Sequence, residues 1–292
     1  MMAPSKTIKH LIFVPLLLLL TGTGHAQSLN RQIKFINHLT NSGYYEESLA
    51  ENLRTPRQGL SQPASDSLNY LAGWAAYYLK ELATSTSYLT KVSPSSELYP
   101  KSHLFAAYNQ IHLSHYQEGQ SILSDFKPQN TPDQHFVHYL SSGVQLLQRD
   151  LAGFDSTLLQ LPKDYFGFSK ELANLQSIQT DLLARKDKSV WLSGLLSAIL
   201  PGSGKIYAGK TGQGITTFLL TTGLALVTFE NYHKNGIESA STLLFGSAFT
   251  VFYAGNIYGS MYSAKTANDD FYHLQNQKIL FNLHIPLRNI FD

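Results

Sequence analysis

Four short constellations in this chain carry residue types that could do chemistry. Gly202-Ser203-Gly204-Lys205 has the glycines and lysine of a phosphate-cradling loop. Such a loop also needs a glycine five positions before its last glycine and a Ser or Thr after the lysine. Ile199 and Ile206 stand there instead, so nucleotide binding is not expected. His112 with His115, and His135 with His138, are spaced so that two imidazoles can share a helix face. Zinc needs three or four ligands, and the chain has no cysteine and no acidic motif to complete either set. Both pairs read as exposed histidines of a helical domain. Glu46 and Glu47 read as a solvated helix surface. No G-x-S-x-G elbow and no H-E-x-x-H motif occurs. No metal, no cofactor and no enzymatic activity is therefore expected.

The elements that position these residues are helical, and they repeat. Pro94, Pro128 and Pro162 each stand 34 residues from the next. Gly73 and Ala107, Leu82 and Tyr116, Ser85 and Gly119, and Leu89 and Leu123 keep the same step. Between them apolar residues recur at helical spacing, as in Leu71, Trp74, Ala75, Tyr78 and Leu79. Each unit reads as helix, turn, helix, with a proline where the second helix stops. A non-repetitive helical domain is the alternative.

Leu71-Ala72-Gly73-Trp74-Ala75 and Ser114-His115-Tyr116-Gln117-Glu118-Gly119 resemble the tetratricopeptide repeat, with Gly43-Tyr44-Tyr45-Glu46-Glu47-Ser48 as an earlier turn. Leu151-Ala152-Gly153-Phe154 is a last one, a residue out of register. Asn69 departs from the family, which places a large aromatic there. The resemblance implies an all-α stack of about four helix pairs over residues 29–185, with a curved inner face built by the first helix of each pair. With Gly73 and Ala107 at the family's small position, Tyr70, Trp74, Tyr77, Tyr108 and His112 become candidates for that face. Aromatics dominate binding hot spots. They fill cores as readily, and both roles remain open for these five.

Charged residues make up 14% of the chain, against roughly 25% in ordinary soluble domains. The deficit falls after residue 188. Three uncharged runs, 189–204, 211–229 and 239–264, predict three membrane spans, or two and a helix lying partly in the bilayer. Between the first two lies Pro201-Gly202-Ser203-Gly204-Lys205-Ile206-Tyr207-Ala208-Gly209, with Gly214 beyond it. Pro201, Gly202, Gly204, Tyr207, Gly209 and Gly214 look like the turn of the TM2 domain, a two-helix membrane module, a resemblance that implies no known reaction. Glycines here predict close helix packing, as do Gly255 and Gly259, which could also join copies into a homo-oligomer. Asn256 is placed to bond across helices.

Lys6, Lys9 and His10, the apolar run 11–20 and Gly24-His25-Ala26 form a signal-peptide pattern over residues 1–26; an uncleaved anchor is the alternative. The expected order is then signal peptide, helical-repeat domain 27–188, membrane helices 189–264 and a C-terminal tail 265–292. Export puts the repeats in the periplasm of a bacterial envelope, on the inner membrane, with Lys205 and Lys210 on the cytoplasmic side. Arg185, Lys186 and Lys188 stand against that orientation. A net charge of +2 offers no concentrated basic face for nucleic acid. The expected function is a membrane-anchored adaptor whose repeats bind a protein partner. The alternative is a membrane-embedded role in membrane-protein assembly or channel formation, with the repeats regulatory.

Overall fold

The structure, a computed structural model, describes residues 29–162 and 164–291. The signal-peptide pattern lies outside the described residues. Every regular element among them is a helix: α1 (29–41), α2 (Tyr45–Arg54), α3 (Gln62–Tyr78), α4 (Leu82–Leu89), α5 (Tyr99–His112), α6 (Tyr116–Asp125), α7 (Thr131–Leu147), α8 (Leu151–Leu158), α9 (Ser169–Ala184), α10 (Val190–Ile199), α11 (Ser203–Tyr207), α12 (Thr211–Asn235) and α13 (Ala240–Phe291). They form two compact units. One runs to Gln176 and includes residues 279–291; the other spans Ser177–Lys278. The first unit ends before residue 188, and residues 265–291 are no separate tail but the continuation of α13.

In the first unit each helix from α2 to α8 packs on the next, and α5 also touches α7. The turns inside the pairs share one geometry. Gly43, Lys80, Ser114 and Arg149 have φ of 82°, 66°, 64° and 64°. The amides of Tyr44, Glu81, His115 and Asp150, one residue on, reach back five residues to carbonyls at 2.8–2.9 Å. This double-bonded left-handed ending satisfies carbonyls that the helix end would leave open. Only the first of the four turns uses glycine. Pro94, Pro128 and Pro162 lie in the links after α4, α6 and α8, while Pro63, Pro100 and Pro132 open α3, α5 and α7, where a missing amide costs nothing.

The core sits where small residues let partners approach. A Cβ on Gly73 would lie 2.6 Å from Leu89 Cγ, and one on Gly119 would lie 2.8 Å from Ile111. Leu68, Leu89, Leu104, Phe105, Leu140 and Phe154 are fully enclosed.

In the second unit α12 is long and apolar enough to cross a membrane. It is the one such helix among the described residues. The first run breaks at Pro201 into α10 and α11, and α10 has only 10 residues; a span needs about 20. The third run forms the first half of α13.

Candidate functional site

The face of the first unit built by α3, α5 and α7, the helices expected to line an inner face, holds a helix of the same chain. Residues 279–291, the last turns of α13, lie on it. Ile279, Leu283 and Leu287, spaced four apart and therefore on one stripe, are completely buried. Leu283 fills the space over Gly143 of α7, where an added Cβ would come within 2.4–2.8 Å of three of its atoms.

Three tyrosines make polar contacts to it. Tyr77 of α3 hydrogen-bonds His284 Nε2. Tyr108 of α5 donates to the Leu280 carbonyl at 3.5 Å and stacks on His284, centroids 5.0 Å apart. Tyr139 of α7 donates to the Asn282 carbonyl at 2.9 Å. Residues 77, 108 and 139 advance by 31, while Gly73 and Ala107 advance by 34. Each tyrosine thus sits about one turn earlier in its helix than the last.

One of these bonds has a covalent cause. Pro286 lies inside α13 and has no amide, so the Asn282 carbonyl four residues earlier loses its helical donor. Tyr139 replaces that donor. Burial drives the Tyr108 and Tyr139 hydroxyls well above the ordinary phenol range, which keeps both as donors. Asn174 donates to the Asn282 side chain at 2.8 Å, and Lys101 Nζ donates to the Phe291 carbonyl at 2.7 Å near the helix end.

The five candidates for the inner face now have places. Trp74, Tyr77 and Tyr108 are buried, at 8%, 7% and 5% exposure. Tyr70 is half-buried and His112 exposed. Lys101 lies over the Trp74 ring at 4.0 Å and the Tyr70 ring at 5.7 Å. Tyr77 and Tyr108 thus meet a helix, and Trp74 packs between Tyr77 and Phe105. His112 flanks Tyr108, with ring centroids 5.9 Å apart; burial, then Lys80, lowers its pKa. Sequence reasoning missed Tyr139, Gly143 and residues 279–291. The available signal was the Ile279, Leu283, Leu287 stripe.

The second unit places the glycine turn. A Cβ on Gly204 would fall 1.9 Å from the Ser193 carbonyl oxygen, and Gly202 and Gly214 meet backbone to backbone. Gly209 faces open space; its φ of 86° forms the same left-handed ending as the turns at Gly43, Lys80, Ser114 and Arg149. Asn256 closes the break after Pro201, accepting from the Gly202 amide at 2.9 Å and donating to the Ser197 carbonyl at 3.0 Å. Ser193 and Ser197 bond Ser260 at 2.7 and 2.6 Å. The Tyr207 hydroxyl accepts from the Ser189 amide at the start of α10. Gly255 has open space beside it, and the Lys205 side chain lies by Gly259. No group of metal-ligating side chains occurs among the described residues. No protein-family model, curated protein or solved structure matches the chain.

Proposed function

We propose that this protein is a membrane-anchored adaptor of a bacterial cell envelope, exported so that its helix-pair domain stands in the periplasm and holds a helical segment of a protein partner. The observation that carries the reading is the inner face of α3, α5 and α7, which seats a helix by an apolar stripe and by tyrosine hydroxyls aimed at main-chain carbonyls. Contacts to main chain do not depend on the occupant's side chains, so the face suits helices as a class. The four matching turns agree with a tetratricopeptide-type stack, a scaffold for such faces. The length and apolarity of α12 agree with a membrane anchor.

The test is photo-crosslinking in native membranes, with a crosslinking residue replacing His112 at the rim of the face. A discrete crosslinked protein, lost when Tyr108→Ala is added, is expected. Crosslinks only to lipid, or only within the chain, would sink the reading. A second reading is favoured by the open space beside Gly255 and the exposed apolar side chains of α13 such as Val251 and Tyr258: the membrane unit assembles with copies of itself or with other membrane proteins, and the helix pairs regulate it.

A further inference from the structure

The occupant of the inner face is an unusual helix, and its peculiarity is what the face contacts. A proline in a helix interior removes one helical hydrogen bond and clashes with the carbonyl four residues earlier. Here that proline frees one carbonyl, and the groove has a buried hydroxyl waiting for it, Tyr139 to Asn282. The next hydroxyl, on Tyr108, also reaches a carbonyl, that of Leu280. Side-chain selection comes from the aliphatic stripe at 279, 283 and 287 and from the imidazole held by Tyr77 and Tyr108. At the far end Lys101 reaches the carbonyl of Phe291. Apart from these, the positions facing away, Phe281, Arg288 and Asn289, are exposed.

We infer that the groove recognises a proline-interrupted amphipathic helix, and that residues 279–291 are a copy of this ligand carried by the chain, which the partner's helix must displace. The inference rests on the adaptor reading and names its partner class: a helix with aliphatic residues at positions i, i+4 and i+8, a polar ring near i+5, and a proline near i+7. The chain's own copy sets a threshold, since its local concentration exceeds that of any free helix. A weak mimic is excluded, and a better match enters.

The experiment uses full-length protein in detergent and a fluorescein-labelled synthetic peptide with the sequence of residues 278–291. In the Leu283→Ala/Leu287→Ala chain the internal copy is weakened, and the peptide should bind at least tenfold tighter than to the unchanged chain. Adding Tyr139→Phe should weaken that peptide about five- to tenfold, the worth of one neutral hydrogen bond. A Pro286→Ala peptide, whose restored amide takes the carbonyl, should change less than twofold between the two grooves. If the double variant is unfolded alone, the peptide should restore its helical circular dichroism and cooperative melting. Absence of binding and of such rescue overturns the inference, as does an equal Tyr139→Phe effect on both peptides. Co-capture of two differently tagged unchanged copies, abolished by Leu283→Ala/Leu287→Ala, would overturn it by making a second copy the occupant. These outcomes are separable from failure of the adaptor reading, which turns on whether native membranes yield a crosslinked protein.

Discussion

Gly143 and Leu283 make a sign-reversing test of how the last turns of α13 are seated. In the unchanged chain Gly143→Ala inserts a methyl 2.4–2.8 Å from three atoms of a leucine that is wholly buried. Overpacking of this kind costs about 1–3 kcal/mol, offset by the roughly 1 kcal/mol that alanine gains over glycine inside a helix. The net expectation is a loss of about 0–2 kcal/mol. Leu283→Ala alone should cost about 3–5 kcal/mol in transfer and cavity terms. In that background the clash is gone while the helix preference remains, so Gly143→Ala should stabilise by up to about 1 kcal/mol. The coupling, about 1–3 kcal/mol, falls in the range of contacting residues. Thermal unfolding of the four full-length proteins, followed by near-ultraviolet circular dichroism, reads it at roughly 2–4 °C per kcal/mol. Equal effects of Gly143→Ala in both backgrounds would refute the seating of Leu283 on α7.

Other expectations follow from single contacts. Ser114 is an exposed non-glycine residue at φ 64°, so Ser114→Gly should raise stability by up to about 1 kcal/mol; a lower melting temperature would contradict the left-handed turn. Burial lowers the pKa values of His103, His112 and His138. Their neutral forms are favoured in the fold, so stability is full above the unfolded value of about 6.5 and falls as pH drops through it. Denaturant melts between pH 7.5 and 5.5 should show this decline, shallower in His103→Phe; the raised pKa of Asp133 acts oppositely, in the carboxylate range. Gly204→Ala should collapse protease resistance of the second unit, because its methyl meets the Ser193 carbonyl oxygen at 1.9 Å, whereas Gly255→Ala should leave it intact.

Much of the helical architecture was legible because it rests on local rules. The equally spaced prolines sit in the links after second helices because a residue without an amide cannot continue them. The turn residues were harder to read, since Lys80, Ser114 and Arg149 take a conformation that usually announces itself as glycine. Gly209 was legible as special but for a different reason: it bends the chain and approaches nothing. The inner face was half legible. Tyr77 and Tyr108 could be placed on first helices by register, but what lies against them comes from the other end of the chain, and pairing over such separations has no local signature. Residues 265–292 read as a tail, yet Lys265, Asp269, Asp270 and Pro286 all lie inside α13.

The central claim, that the inner face is a helix receptor filled by the chain's own C-terminal turns, can be tested by one crosslink. The protein has no cysteine, so Gly143→Cys with Leu283→Cys creates a single pair, at a site where the Gly143 Cβ position lies 2.8 Å from Leu283 Cγ. Oxidation in native membranes, then cleavage between α9 and α13, should leave the two fragments joined until reductant is added. Fragments that separate without reductant, with both thiols still free to alkylation, would contradict the account.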